Sequence, residues 1–255
     1  FGRGGGSSGD GGATAVRSRG NIVTHGDEAI GILGQSVGGG GGIGGNILAV
    51  DLPVVGTKFE LGKHYGSVGG DGSGGRVTVE QIGDITTAGK RAHGIFAQSA
   101  GGVADAVERT TIETDADGNP ALDVDGNPIQ VPVLDGNGQP VAVPDTGDLG
   151  SPVQVSVDGN ITTPGWGSSA VFAQSLGDDG NGNITIDIVQ GTIRGGLDGH
   201  AVHVWDGSDN DLRNAGKLTT VGGSRGVAIL AGAGNERVDN NGTIEGSIDL
   251  GSGSN

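Results

Sequence analysis

The chain has no cysteine and no methionine among its 255 residues, and only seven aromatic side chains. Without cysteine there can be no disulfide and no thiolate metal site. Without even an initiator methionine, the chain reads as a processed product or a cut fragment, with any N-terminal targeting signal out of view. Basic residues are few: 14 Lys and Arg stand against 30 Asp and Glu, a formal charge of −16. Binding phosphate takes a basic face, so no nucleic acid is expected as a partner. Anionic membrane surfaces are disfavoured for the same reason. No apolar run approaches the ~18 residues of a spanning helix, so no direct membrane insertion is expected.

Glycine is what the chain has in excess. It contributes 58 residues, with 8 prolines besides, a level at which disorder must be weighed because glycine is entropically costly to order. Against disorder stand 26 Val, 18 Ile, 13 Leu and 4 Phe, enough apolar side chain for a core. β-Branched residues favour strands, and Val and Ile far outnumber Leu, so a mainly helical protein is excluded.

The glycines are ordered by a repeat. Gly20-Asn21-Ile22-Val23-Thr24 leads to Gly31-Ile32-Leu33-Gly34-Gln35-Ser36. Gly83-Asp84-Ile85-Thr86-Thr87 leads to Gly94-Ile95-Phe96-Ala97-Gln98-Ser99. Gly159-Asn160-Ile161-Thr162-Thr163 leads to Ala170-Val171-Phe172-Ala173-Gln174-Ser175. The first glycine and the glutamine are separated by the same distance in all three copies. Weaker copies start at Gly191, Gly216 and Gly242. The closely spaced later starts imply a coil of roughly 25 residues, in the range of solenoids. The wider early steps then hold more than one coil, or a coil plus an insertion.

Val77-Thr78-Val79, Val153 to Val157 and Ile184 to Ile188 alternate apolar with polar residues, the period of a half-buried strand. The runs Gly38 to Gly42, Gly69 to Gly75 and Gly177 to Gly182 read as turns or protruding loops. One such unit cannot bury its apolar face, whereas stacked units share a continuous core. The expected fold is all-β: a right-handed parallel β-helix, or β-solenoid, with an inserted β-hairpin arm. Its coils occupy residues 1–104 and continue over 153–255. Between them, 105–152 loses the repeat and gathers Asp and Pro. Asp-Gly and Asn-Gly pairs there signal hairpin turns, with short strands at Ile129 to Val133 and Val141 to Val143.

The phrase Gly-x-Ile-Thr-Thr followed by Gly-Ile-x-Ala-Gln-Ser-x-Gly-Gly resembles the Gly-rich repeats in passenger regions of Gram-negative autotransporter (type V secreted) surface proteins. The resemblance rests on Gly20 to Gly42, Asp71 to Gly102 and Gly159 to Gly177, about half of the chain. It implies a β-helix exported through the outer membrane to the cell surface or released, adhesive or self-associating. The lack of cysteine agrees, since disulfides would hinder passage through a barrel pore. The signal peptide and C-terminal barrel of such proteins are not in this sequence, which then reads as a passenger piece ending in a cut at Gly251 to Asn255.

Several motifs invite chemistry and are better explained by structure. Gly222-Gly223-Ser224-Arg225-Gly226 fits a nucleophile elbow in letters only, because a strand and not a helix should follow it. Of the histidines at 25, 64, 93, 200 and 203, the last two lie near Asp198 and Asp206. On one strand, positions three apart point to opposite faces, so these two are read as scattered and not as a metal pair. The Asp-rich insertion lacks the calcium-loop glycine, so calcium there would be adventitious. The Thr-Thr pairs recur in too few copies for a flat ice-binding face. Gly31, Gln35, Ser36, Gly94, Gln98, Ser99, Gln174 and Ser175 are read as a structural motif, the amides bonding backbone at a corner.

The sequence thus points to a non-enzyme without a cofactor, a structural or adhesive segment. A β-helix carbohydrate-active enzyme and a trimeric phage-fibre β-helix are the alternatives. Its expected partners are other copies of itself or a cell-surface ligand. Contact is expected where the repeat breaks, at Asp115, Asp117, Asp123, Asp125 and Asp135.

Overall fold

Three short strands separated by glycine corners make one turn of this chain. The computed structural model describes residues 9–38, 72–101, 110–112, 130–132 and 149–255, and no α-helix occurs among them. The first coil carries β1 (Thr14–Arg19), β2 (Ile22–Thr24) and β3 (Ile32–Val37). The second carries β4 (Val77–Ile82), β5 (Ile85–Thr87) and β6 (Ile95–Ala100). Two strands of the insertion follow, β7 (Thr110–Ile112) and β8 (Gln130–Pro132). The third coil has β9 (Val153–Asp158), β10 (Ile161–Thr162) and β11 (Val171–Leu176), and the fourth β12 (Ile184–Gln190), β13 (Thr192–Gly195) and β14 (Val202–Asp206). The fifth has β15 (Asp209–Asn214), β16 (Lys217–Thr220) and β17 (Val227–Ala231), and the sixth β18 (Asn235–Asn240), β19 (Thr243–Ile244) and β20 (Ser247–Asp249).

First strands pair only with first strands, second with second and third with third, giving three six-stranded sheets. All of these pairings are parallel. This is a parallel β-helix. Because the coils are in register, interior positions stack as columns, two of which are aliphatic throughout. Val16, Val79, Val155, Ile186, Leu212 and Val238 form one in the first sheet. Ile22, Ile85, Ile161, Ile193, Leu218 and Ile244 form another in the second. The inner members of both columns are buried, and the end members Val16, Ile22, Val238 and Ile244 are half-buried. Flat β-branched side chains one strand spacing apart (~4.8 Å) stack without voids.

Each of the two wide steps in the repeat holds one coil and an insertion. Strand β4 lies directly on β1, and β9 directly on β4. Both insertions fall at the same corner, between the third strand of one coil and the first strand of the next. Residues 104–146 form a compact unit of their own, in which β7 and β8 pair antiparallel with Thr111 opposite Val131. Strand β8 falls within the expected run Ile129 to Val133; Val141 to Val143 lie outside the described residues.

The six repeat-starting glycines occupy the turn between first and second strands. Gly83, Gly159 and Gly191 have φ of +113°, +148° and +94°. A Cβ on Gly159 would overlap the carbonyl oxygen of Gly83 in the coil beneath. Glycine is therefore required there twice over, by conformation and by contact. Gly167 differs: its φ is +66°, and a Cβ would meet only the Arg91 side chain at 3.4 Å. Asp198 holds the equivalent turn one coil on with φ +53°. Gly159→Ala should cost on the order of 1–3 kcal/mol, as overpacking does, whereas Gly167→Asn should cost well under that. Urea denaturation of both variants checks this, and equal losses would contradict the corner argument.

Candidate functional site

The third sheet carries the Gln and Ser rows. In β6, Ile95 and Ala97 join the coil interior, so Phe96 and Gln98 must project outward by strand alternation. Outward residues of a solenoid are normally solvated, yet Phe96 is 3% exposed, Phe172 1%, and Gln98 and Gln174 0%. The first-coil counterpart, Leu33, is open at 39%, and further along the column His203 and Leu230 are half-buried and Asp249 exposed. In the second and third coils this outer face is thus a second buried layer.

Its polar members satisfy one another along the stack. Gln35 Nε2 donates to Gln98 Oε1 at 2.5 Å, and Gln98 Nε2 to Gln174 Oε1 at 2.8 Å. Gln174 Nε2 then donates to Asp206 Oδ2 at 3.3 Å. The amides were expected to bond backbone at corners; they bond each other, because register sets them one strand spacing apart and each amide is both donor and acceptor. The serines do the corner work. Ser36 Oγ donates to the Gly12 carbonyl and accepts the Gly75 N–H. Ser99 Oγ accepts the Ser151 N–H, and Ser175 Oγ accepts that of Gly182. Each serine thereby ties its coil to the entry of the next, at the corner where the insertions depart. Gly31 and Gly94 sit at the start of the third strand, where a Cβ on Gly31 would lie 2.6 Å from the Gly94 carbonyl oxygen.

Beside the amides runs a stack of rings. Phe96 and Phe172 lie 4.9 Å apart and nearly parallel, and Phe172 and His203 4.5 Å apart. His93 packs on Phe172 at 5.4 Å, and Trp205 meets His203 edge-on at the same distance. His200 and His203 were read as scattered, on the ground that a strand would separate them. His200 precedes β14, in the corner, so its ring turns back onto His203 at 5.1 Å. Burial pushes the His93 imidazole down to about 4, and lowers His200 and, further, His203. His93 Nδ1 accepts the Ser169 N–H at 3.0 Å, while Nε2 of His93 and of His203 is buried without a hydrogen-bond partner. Asp206 closes the amide row in a left-handed turn, φ +58°, and burial raises its carboxyl above the usual range. The contacts of Phe172 with His93, Phe96 and His203 join residues far apart in the sequence. Aligning His203 with Phe172 across the coil step, as the register does, is the signal that carried them.

The remaining candidates are structural or lie elsewhere. Thr24, Thr87 and Thr163 donate to the carbonyls of Ala29, Ala92 and Ser168, closing the second corner. Ser224 lies in an exposed 3₁₀ turn, Gly223–Arg225, followed by strand β17. Asp115, Asp117, Asp123, Asp125, Asp135 and His64 lie outside the described residues. Among the described residues, no group of three or more His, Asp or Glu is placed to hold a metal ion. No family model matches this sequence, and no curated protein or solved structure matches it either.

The amide row makes a graded prediction. Gln98→Leu removes the donor to Gln174 and the acceptor for Gln35 and should cost about 1–3 kcal/mol, the penalty for orphaning buried polar groups. Gln98→Glu at neutral pH sets a buried carboxylate against Gln174 Oε1 and should cost more. Lowering the pH protonates that carboxyl and restores a donor, so the gap should narrow in acid. Denaturant midpoints at pH 7 and pH 5 measure it; Leu and Glu variants of equal stability at both pH values would contradict the row.

Proposed function

We propose that this chain is a non-catalytic structural and adhesive segment of the bacterial cell surface, part of an autotransporter-like passenger exported through the outer membrane. The observation that carries the reading is the six-coil stack itself, in which each coil is held by its neighbours. A solenoid of this kind works as a spacer, presenting whatever interrupts it. The Gly-x-Ile-Thr-Thr and Ala-Gln-Ser phrases support the family. The −16 charge supports solubility and keeps copies apart except where a specific contact overcomes repulsion. We assign partner contact, with another copy or a cell-surface ligand, to the interruption at 105–152, since loops on a rigid scaffold are the usual carriers of binding.

The test compares the purified chain with a variant lacking 110–147, joined by a short Gly-Ser link. Beads coated with the full chain should clump or adhere to cells, and the deleted chain should lose this while keeping its far-UV β signal. Adhesion unchanged by the deletion would remove the arm from the reading. Absence of adhesion and of self-association by the full chain would overturn the function itself.

A further inference from the structure

The ring stack on the outer face of the third sheet has three members that can become charged. His93 comes from the corner before β6, His200 from the corner before β14, and His203 from β14 itself. All three reach Phe172 or one another within ring-contact distance. Their neighbours offer little to a positive charge. His93 packs, tilted, alongside the stacked Phe96 and Phe172 rings, and His203 between Phe172 and the edge of Trp205. The charged groups facing them, among the described residues, are few. Asp198 from the same corner and Asp249 from β20 act on His200 alone. Asp206 on β14 is engaged by Gln174. Among the described residues, His93 and His203 face no carboxylate that favours their charged form; they face His200, and His203 faces His93 as well.

We propose that this cluster is an acid-operated latch: neutral imidazoles hold the outer face of the third sheet closed, and their protonation opens it. Carrying a proton, His93 or His203 would be a buried cation beside other imidazoles with no carboxylate to offset it among the described residues, whereas His200 keeps the Val227 carbonyl at 3.0 Å and the field of Asp198 and Asp249. His200, the least buried and the only one helped by carboxylates, takes its proton first. Its charge then lies against His203 and makes the closed arrangement untenable for the rest. The coil interior does not take part, since the columns that begin at Val16 and Ile22 are aliphatic through the fourth coil. The two corners bearing His93 and His200 therefore separate from the sheet while the sheets persist.

The direction follows from linkage. A histidine whose folded value lies below its unfolded one contributes nothing against opening above pH ~6.5 and favours the open form progressively as pH falls. For His93, held at about 4, a shift of that size favours opening by up to ~300-fold at full protonation of the open form.

The experiment follows Trp205 fluorescence and near-UV circular dichroism from pH 7.5 to 3.5 in a Trp166→Phe background, with far-UV signal in parallel. The expected result is a transition between pH 6.5 and 4, steeper than one proton allows, with the far-UV β signal retained. His93→Phe with His203→Phe keeps the ring stack and should move the midpoint down by at least one pH unit; His25→Asn should not move it. A midpoint unchanged in the Phe pair, or no transition in that range, would overturn the proposal. If the Phe pair does not fold, NMR titration of the unsubstituted chain decides. Histidine signals that change together with Trp205 support the latch, and independent titrations with the Trp205 environment unchanged refute it.

Discussion

A side chain in a register-stacked solenoid lies ~4.8 Å above its counterpart in the coil below, and the six coils are built around that spacing. A residue must be compatible with a near-copy of itself on both sides. Aliphatic residues meet this easily, which is why the interior is built of Val and Ile columns. Glycines meet it where backbone lies on backbone, as Gly83, Gly159 and Gly191 do at the first corner. Charges cannot meet it with their own kind. In the solvent column of the first sheet, Arg17 stands under Glu80 and Asp187 under Arg213, joined at 3.1 and 3.2 Å.

Polar groups solve the same constraint by being donor and acceptor at once. The amide row from Gln35 to Gln174 propagates a single hydrogen-bond direction through three coils and ends on the acceptor-only Asp206. Side chains one residue past the first-corner glycine work as acceptors for the next coil's backbone: Asn21 accepts the Asp84 N–H, Asp84 that of Asn160, and Asn160 that of Thr192. Such ladders give specificity of register, since a slipped coil would orphan every member of the row. Where the row changes residue type, as from Ser175 to Asp206, the backbone turns left-handed to bring a different group onto the column.

The third sheet departs from the other two in burying its outer face. That face concentrates Phe96, Phe172 and Trp205 with three histidines. A shaft needs no such layer for stability, because its interior already closes. The layer gathers three imidazoles on that face, two from the corner before the third strand and one from the strand itself.

The sequence by itself determined the solenoid. Glycine starts at fixed distance from the Gln-Ser pair, alternating Val and Ile runs, and the break after residue 104 are local patterns, and stacking is the one way such units bury their apolar sides. It also placed Gly20 through Gly242 at turns, because glycine's backbone freedom is a property of the residue. What only the tertiary structure decided is what lies beside what. Gln35 and Gln98 are 63 residues apart, Phe96 and Phe172 76, and no local pattern says that they share a column until the lengths of the insertions are subtracted. The burial of the outward face was hidden for a related reason: alternation tells which side of a strand a residue occupies, but not whether that side is wet. His200 shows the same limit at a single residue, since one step outside the strand was enough to turn its ring onto His203.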